Sequence, residues 1–229
     1  MGSTELTEKG SRMIETLVLT AAFLVGSIPF GFLIGKLSGK DIRTEGSGNI
    51  GATNVWRICG WKYGLPAFLL DVMKGAAPVL LTIYAIKEGM IDEDVWLKSG
   101  TGLCAIVGHC FSPFLKFKGG KGVATAAGAT AALLPYSFLA GITVFACVFA
   151  WKKYVSLGSL SGITTMLFTA TLWERQWSWD TLPYCLFALL LSTLVWWTHR
   201  TNIGRLLRGK ENKLWWSRKS QKKEETDEE

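Results

Sequence analysis

Long apolar segments, separated by short connections that carry most of the charge, dominate this sequence. The first segment, residues 13–37, is long enough for a helix rising about 1.5 Å per residue to cross a hydrocarbon core of about 30 Å. Inside a bilayer the backbone N–H and C=O groups must bond to each other, and a helix satisfies them within one segment. The pattern therefore predicts an all-α, polytopic integral membrane protein.

Composition supports this class. Of the 229 residues, 49% are hydrophobic, with 11 Trp and 12 Phe, so most of the chain cannot be a water-facing surface. The five cysteines form no CxxC pair, and most lie in apolar stretches, where Cys packs as a small hydrophobic side chain. We therefore expect neither a disulfide framework nor a metal site.

The positions of the positive charges predict the topology, because cytoplasmic loops retain Lys and Arg. Single spans are predicted for residues 13–37, 64–86, 96–115, 155–172 and 181–198. Residues 123–151 are interrupted at LLPYS and could form one kinked helix or two short ones. Two passes would return Lys152 and Lys153 to the side of the other basic loops, so we choose two, the first of them short. The prediction is about seven transmembrane helices, with the N-terminus outside and the C-terminus in the cytoplasm.

The same reading divides the chain into three regions. Residues 1–12 are a polar extension, residues 13–212 form one transmembrane domain, and residues 213–229 are a charged cytoplasmic tail. The sequence WERQWSWD, residues 173–180, is expected to make an aromatic turn at the membrane interface.

Three of the predicted cytoplasmic segments share a composition suited to binding an anion. They are EGSGNIGATNVWR (residues 45–57), KFKGGKG (116–122) and THRTNIGRLLRGK (198–210). Each combines glycines, or small hydroxyl and amide side chains, with Lys or Arg, and such groups donate hydrogen bonds to phosphate oxygens. Topology bias alone accounts for a lone basic residue, but three such loops on one face favour a phosphate site. Ser47, Asn49 and Thr53 could equally be turn formers or helix caps.

Two nucleotide-binding motifs are excluded. GSGNIG, residues 46–51, matches GxGxxG, and Asp71 follows at the offset of the acidic residue of that motif. The motif must follow a buried strand, however, whereas polar KLSGKDIRTE precedes it and Asp71 lies in an apolar segment. KGGKG is not a Walker A loop, because Gly122 stands where Ser or Thr is required.

Four signatures together resemble the bacterial acyl-phosphate:glycerol-3-phosphate acyltransferases, the PlsY-type enzymes. They are GSGNIGATNVWR (residues 46–57), LLDVMKG (69–75), GHCFSPFLKFKGGKGVAT (108–125) and HRTN (199–202), and the similarity spans roughly residues 20–210. The resemblance implies an enzyme of the bacterial plasma (inner) membrane with its active site on the cytoplasmic face. It would transfer a fatty acyl group from acyl phosphate to the 1-hydroxyl of sn-glycerol 3-phosphate, giving lysophosphatidic acid and phosphate. No cofactor, metal or nucleic acid is implied, and we expect a monomer surrounded by membrane lipids.

The family motifs carry over onto ten residues of the three loops. The implied phosphate and glycerol contacts are Ser47, Gly48, Asn49, Thr53, Arg57, Gly119, Gly120, Lys121, His199 and Asn202, of which Arg57, Lys121, His199 and Asn202 are the expected catalytic residues.

The expected reaction has no acyl-enzyme. No GxSxG elbow is present, and the cysteines are poorly placed for activation by a base, so we expect direct attack by the glycerol hydroxyl. His199 could accept the proton, since an unperturbed pKa of about 6.5 suits a base. The departing phosphate could also accept it, and we favour the phosphate, with His199 as a ligand.

Within the apolar segments, Gly31, Gly35 and Gly39 repeat on the first span, and Ala124, Ala127 and Gly128 lie on the fourth. These small residues could line a groove for an acyl chain or allow close helix packing, and packing is the favoured interpretation.

Two further expectations concern polar residues of the spans. Asp71 and Lys74, about one helical turn apart, are predicted to pair inside the membrane. A structural role is predicted for His109.

A transporter for a phosphorylated solute is the alternative function. Such a protein would place its polar groups near the bilayer midplane and carry an internal repeat. The three loops lie instead on one predicted face, and no convincing repeat is found.

Overall fold

The computed structural model describes residues 2–173 and 181–214, and these residues form helices and connections with no strand. The helices are α1 (Gly2–Ser27), α2 (Phe30–Leu37), α3 (Ala52–Cys59), α4 (Trp61–Lys87), α5 (Val95–Cys110), α6 (Val123–Leu133), α7 (Pro135–Lys152), α8 (Val155–Trp173), α9 (Leu182–Thr198) and α10 (Arg200–Leu207). A short 3-10 turn, Pro113–Leu115, follows α5. The all-α prediction is confirmed for the described residues, and α1 extends into the predicted polar extension. Most of the predicted aromatic turn and of the charged tail lie outside the described residues.

Several of these helices can cross a membrane by length and composition. Within the described residues they are Gly10–Leu37, Trp61–Lys87, Pro135–Lys152 and Val155–Leu172, with a fifth if α9 and α10, bent by 58°, count as one. Helix α5, with 16 residues, and α6, with 11 residues, are shorter than these spans. The membrane class is therefore supported, while the count of seven and the orientation of the termini stay predictions.

The first predicted span is broken at Pro29, which lacks the N–H group of a regular helical hydrogen bond and disfavours a helical conformation of the residue before it. The break frees two backbone carbonyls. The Ser112 hydroxyl donates to the carbonyl of Ser27 at 2.6 Å, and the Lys74 ammonium donates to that of Ile28 at 2.7 Å. Irregular backbone at membrane depth requires such buried partners. The break thus ties the first segment to α4 and to the turn after α5.

The interrupted segment 123–151 forms two helices, which confirms the two-helix alternative. Helix α6 ends at Leu133 and α7 begins at Pro135, where the fixed φ of proline suits the first helical position.

Small residues allow α4 and α6 to lie in close contact. A Cβ atom at Gly75 would overlap the carbonyl group of Thr125, and one at Gly128 would overlap that of Val72. Close backbone approach of this kind is typical of helix packing in membranes. For Gly128 the packing interpretation is therefore the correct one.

The glycines of the first segment also serve packing and chain reversal. A Cβ at Gly31 would overlap the carbonyl of Ile50, and one at Gly35 would press against the side chain of Ile42. Gly39, with φ of +82°, lies in the turn after α2, in the left-handed region that glycine adopts freely. These contacts place the loop between α2 and α3 directly on the first segment.

Two apolar clusters support the polar loops. The larger joins the buried faces of several helices through residues such as Val79, Ile106, Ala129, Phe187 and Leu191. The smaller lies under the first loop and consists of Ile34, Ile42, Ile50, Val55 and Ala67. Because both the start and the end of the first loop contribute to the smaller cluster, the apolar packing fixes the path of that loop.

Candidate active site

Two cavities adjoin where the three predicted loops meet. The larger has a volume of about 540 Å³ and extends from the first loop to the turn between α9 and α10. The smaller has a volume of about 320 Å³ and lies beside the glycine-rich loop. Four residues line both cavities: Ser47, Asn49, Lys121 and Arg205.

The structure brings nine of the ten predicted site residues to these cavities. They are Ser47, Asn49, Thr53, Arg57, Gly119, Gly120, Lys121, His199 and Asn202. Gly48 is the exception among the ten: it is exposed and has φ of +69°, so its role is to turn the chain. Three segments far apart in sequence therefore form one polar surface.

Asn54, which the sequence analysis did not select, organises the first loop. Its side-chain oxygen accepts a hydrogen bond from the N–H of Ser47 at 2.9 Å. Its amide nitrogen donates to the carbonyls of Ile42 at 2.8 Å and Glu45 at 3.2 Å. The residue is buried, and these bonds satisfy both ends of its side-chain amide. An Asn on the apolar side of α3 was the only sequence signal for this role.

Local hydrogen bonds also shape the tip of this loop. The Asn49 side-chain oxygen accepts a bond from the N–H of Gly51 at 2.9 Å, which makes Asn49 a turn former as well as a cavity residue. Ser47 is half-buried and lines both cavities. No strand precedes GSGNIG in the described residues, and α3 follows it, so the exclusion of a dinucleotide motif holds.

Arg57 projects from α3 into the larger cavity. Burial lowers the pKa of its guanidinium, an effect that the carboxylate of Glu211 opposes and the charge of Arg205 reinforces. A guanidinium nevertheless keeps its proton at any physiological pH. The cavity therefore contains a permanent cation in a partly desolvated setting.

The glycine-rich loop lies flat against the end of α5. The N–H of Gly119 donates to the carbonyl of Cys110 at 3.1 Å, and the N–H of Gly120 donates to that of His109 at 3.0 Å. These two N–H groups are engaged within the protein, contrary to the expectation that glycine N–H groups of this loop face a phosphate. The two glycines are instead needed for close approach, since a Cβ at either would overlap α5 or its side chains.

The first turn of α6 lies at the larger cavity. Gly122, Val123 and Ala124 line the cavity at the first turn of this helix. The first N–H groups of a helix have no intrahelical acceptor, and the helix dipole adds partial positive charge there. The start of α6 can therefore bind an anion beside Lys121.

Lys121 connects the second loop to the third. Its ammonium group donates to the side-chain oxygen of Asn202, and its carbonyl accepts a bond from the Thr198 hydroxyl at 3.2 Å. Burial lowers the pKa of Lys121 to about 8; the carboxylate of Glu211 opposes this shift, and the charges of Arg205 and Arg57 reinforce it. The neighbouring carboxylate therefore neutralises the charge of this ammonium group only in part.

Glu211 anchors the third loop and was missed in the sequence analysis. Its carboxylate accepts bonds from Asn202 Nδ2 at 2.6 Å, Arg205 Nε at 2.7 Å and Ser156 Oγ at 3.0 Å. Burial raises the pKa of Glu211, but these hydrogen bonds outweigh burial, so its pKa lies below the ordinary value. A single carboxylate directly after the basic RLLRGK sequence was the available signal.

His199 is buried at the turn between α9 and α10 and lines the larger cavity. Its Nδ1 lies 2.8 Å from the carbonyl oxygen of Val195. A carbonyl can only accept, so Nδ1 carries the proton and Nε2 is the remaining polar atom of the ring. In the neutral ring Nε2 is a hydrogen-bond acceptor.

An apolar cavity of about 70 Å³ continues from the larger one between α6, α7, α8 and α9. Val123, Phe145 and Ser159 line both, and Ala127 lies on the wall of the apolar cavity. Ala124 lines the larger cavity. These two alanines therefore line cavities, whereas Gly128 serves helix packing.

A buried ionic cluster lies at the inner end of the larger cavity, which Asp71 and His109 line. Lys74 Nζ is 2.8 Å from Asp71 Oδ1, and both side chains are almost fully buried, which confirms the predicted pair. His109 Nδ1 lies 3.7 Å from the same carboxylate oxygen.

The chain is also similar to proteins of known family. A family model described as glycerol-3-phosphate acyltransferase matches residues 16–209. The glycerol-3-phosphate acyltransferase of Myxococcus xanthus is 44% identical over 203 residues, which cover 88% of this chain and 100% of that protein. The corresponding protein of Aquifex aeolicus is 44% identical over 194 residues, covering 84% and 95% of the two chains.

Two solved structures are also similar. Both are crystal structures of PlsY, an integral membrane glycerol 3-phosphate acyltransferase. The glycerol 3-phosphate form superposes with a TM-score of 0.77 at 40% identity, covering 88% of this chain and 96% of that one. The lysophosphatidic acid form gives a TM-score of 0.76 at 39% identity, with the same coverage.

Proposed function

Because the chain belongs to the glycerol-3-phosphate acyltransferase family, we propose that its two adjoining cavities bind an acyl phosphate and glycerol 3-phosphate side by side. The protein is a membrane acyltransferase of phospholipid synthesis. The related PlsY structures are of a glycerol 3-phosphate form and a lysophosphatidic acid form, which supports glycerol 3-phosphate as the acceptor. The acyl donor, the roles of individual residues and the orientation in the membrane belong to the proposal.

The shared wall of the two cavities is the observation that carries the proposal. The larger cavity has a polar end and an apolar continuation, as a lipid with an anionic head group requires. The smaller cavity is lined mainly by polar groups and cations, among them Lys118 and Arg200, as a small phosphorylated polyol requires. Lys121 and Arg205 line both, so one pair of cations can contact both head groups.

Electrostatics make these cations necessary. A phosphate monoester carries about −1.5 to −2 charges near pH 7, so two phosphorylated substrates repel each other at short range. Arg57, Lys121 and Arg205 supply three positive charges at the site, one of which Glu211 offsets, and the first turn of α6 adds backbone donors. Phosphate contacts from Ser47, Asn49, Thr53 and Asn202 complete the proposed set.

The proposed reaction is a single acyl transfer. The 1-hydroxyl oxygen of glycerol 3-phosphate attacks the acyl carbonyl carbon, and the bond from that carbon to the phosphate oxygen breaks. Lysophosphatidic acid and inorganic phosphate result, with no covalent intermediate on the protein. Lys121 and Arg57 stabilise the negative charge that gathers on the departing phosphate. Holding the reactants in adjoining cavities supplies the proximity that a bimolecular reaction lacks.

His199 orients the attacking hydroxyl in this scheme. Its Nδ1 proton is directed to the Val195 carbonyl, so Nε2 can accept a hydrogen bond from the 1-hydroxyl. The proton of that hydroxyl passes to the departing phosphate, whose second pKa is near 6. His199 then positions the nucleophile, and the phosphate acts as the base.

The proposal also includes the setting of the enzyme. The three basic loops face the cytoplasm of a bacterium from the plasma (inner) membrane, as the positive-inside rule asks, with seven passes and the N-terminus outside. The functional unit is a monomer surrounded by membrane lipids. Its acyl phosphate enters the apolar cavity from the bilayer, and glycerol 3-phosphate enters the smaller cavity from water.

The test uses purified protein in lipid with palmitoyl phosphate and glycerol 3-phosphate, and measures phosphate and lysophosphatidic acid together. Equal formation of both products, dependent on glycerol 3-phosphate and lost in Arg57→Ala, supports the proposal. Lys62→Ala is the matched control, because it removes an exposed cation at the start of α4. Product formed from palmitoyl-coenzyme A but not from palmitoyl phosphate would overturn the proposed donor.

A further inference from the structure

His109 is a buried polar residue that the proposed reaction does not use. It lies in the last turn of α5 and is 4% exposed, beneath the glycine-rich loop. A Cβ atom added to Gly120 would overlap the His109 ring at Nε2, Cε1 and Cδ2. The imidazole ring is therefore in direct contact with the backbone of Gly120.

The backbone of the loop is attached to the same end of α5. The N–H groups of Gly119 and Gly120 donate to the carbonyls of Cys110 and His109. These two bonds fix the distance between the loop and the end of α5, and the His109 ring fills the space between Gly120 and that helix. Lys121 is the next residue, followed by Gly122 and the first turn of α6. A displacement of the ring would therefore displace Gly120 and, with it, the neighbouring Lys121.

The other side of the ring lies beside the buried ionic cluster. Its Nδ1 faces Asp71 Oδ1 at 3.7 Å, and that oxygen lies 2.8 Å from Lys74 Nζ. Lys74 in turn donates to the carbonyl of Ile28 at the break in the first segment. Asp71 also lines the larger cavity, next to His109. The ring is consequently packed between a fixed carboxylate on α4 and the loop.

We propose that His109 is a positioning residue for acyl transfer, whose ring supports Gly120 and thereby places Lys121 against the substrate phosphates. The inference rests on the proposed site, in which Lys121 contacts both head groups. A displacement of about 1 Å at a reacting centre can lower the rate about 100-fold, so the support under the loop has a large effect on catalysis. Because Gly120 lines the smaller cavity, a displaced loop affects glycerol 3-phosphate more than the acyl donor.

A pair of substitutions tests the contact directly. Gly120→Ala adds a methyl group whose overlap is with the His109 side chain, and His109→Ala removes that side chain. We expect Gly120→Ala alone to lower kcat/KM for glycerol 3-phosphate about 100-fold. His109→Ala alone lowers it roughly tenfold, because the two backbone hydrogen bonds of the loop remain. In the His109→Ala background, adding Gly120→Ala should lower kcat/KM for glycerol 3-phosphate by no more than about threefold. Such a non-additive result is expected of residues in contact.

Gly119→Ala is the matched control. Its added methyl group would overlap the main-chain carbonyls of His109 and Cys110, which remain in every variant. The cost of Gly119→Ala should therefore be the same with and without the His109 side chain. Relief of both glycine substitutions by His109→Ala would mean general loosening of the site, and would overturn the inference.

Separate kinetic constants distinguish positioning from simple loss of fold. His109→Ala should raise KM for glycerol 3-phosphate more than KM for palmitoyl phosphate, in protein whose thermal unfolding midpoint is recorded beside that of the parent. Parental kcat/KM in His109→Ala, or an equal cost of Gly120→Ala in both backgrounds, overturns the inference. If Gly120→Ala does not fold, His109→Ala decides alone. Failure of the parent protein to make product would instead refute the proposed function.

Discussion

The ammonium group of Lys121 donates a hydrogen bond to the side-chain oxygen of Asn202, 81 positions further along the chain. The other end of the Asn202 amide donates to Glu211, whose carboxylate also binds Arg205. One amide therefore links the cation of the glycine-rich loop to a carboxylate of the last loop. These four polar groups form one connected network, and groups held in place in this way reduce the reorganisation that catalysis would otherwise require.

Replacement of Lys121 should remove most of the activity. We expect Lys121→Ala to lower kcat/KM for both substrates by about 100- to 1000-fold, the range typical of one donor to a developing charge. Initial rates of phosphate release at varied concentrations of each substrate provide the measurement. Lys62→Ala should remain at the parental rate, and a comparable loss in that variant would show that any cation near the loops suffices.

The pH dependence of activity should report the titration of Lys121. Its pKa is about 8, so the free enzyme loses this positive charge as the pH rises through that value. We expect log kcat/KM to fall above about pH 8 in the parent protein. Lys121→Arg keeps its charge throughout this range and should lack the falling limb, whatever its absolute rate. The same limb in Lys121→Arg would assign it to another group.

Glu211 should contribute to stability in a pH-dependent way. Its pKa in the folded protein lies below the unfolded value of about 4.3, so its contribution is full above that value. The contribution is lost as the pH falls through the folded-state pKa. Glu211→Gln should therefore lower the thermal unfolding midpoint at neutral pH, and the gap to the parent should narrow toward pH 3. A gap that is constant from pH 7 to pH 3 would contradict this assignment.

Asn54 should be more important for the fold of the first loop than the cavity residues beside it. Asn54→Ala removes one acceptor and two donations from a buried position, and leaves the N–H of Ser47 without its partner. We expect a loss of about 1–3 kcal/mol in the free energy of unfolding, together with reduced activity. Denaturant titration in detergent gives the first quantity. Thr44→Ala, which removes an exposed hydroxyl from the same loop, should change neither by a comparable amount.

The apolar cavity should determine how well long acyl chains are used. Ala127 lies on its wall, so Ala127→Phe should fill space that the chain needs. Each methylene withdrawn from an apolar site costs about 0.8 kcal/mol, so kcat/KM should fall several-fold more for palmitoyl phosphate than for octanoyl phosphate. Leu139→Phe, on the exposed face of α7, is the control. An equal loss for both donors would place the chain elsewhere.

Much of the fold follows from local pattern. Apolar length predicts the helices at residues 61–87 and 155–172 to within a few positions, and Pro135 marks the division between α6 and α7. The break at Pro29 was missed, because a single proline in an apolar run does not reveal whether its freed carbonyls find partners. Here Lys74 and Ser112 supply those partners from other segments.

The site residues also divide into those that the sequence predicts and those whose role depends on the fold. Composition pointed to the three loops, and the family resemblance pointed to Ser47, Arg57, Lys121, His199 and Asn202 within them. The fold brings all five to the cavities. The sequence analysis assigned the glycines of KFKGGKG to phosphate binding, and the structure gives two of them a packing role. At Gly119 and Gly120 the absence of a side chain permits close approach to α5, and the N–H groups are engaged there.

The sequence by itself determined that this chain is a helical membrane protein, and which loops contain the candidate anion-binding residues. Both properties depend on local composition, since a bilayer selects apolar segments by length and a phosphate selects cations and small donors. Only the tertiary structure decided the partners of Asn54, His109 and Glu211. A buried polar side chain acquires its role from the donor or acceptor that packing places beside it, and those groups come from distant parts of the chain.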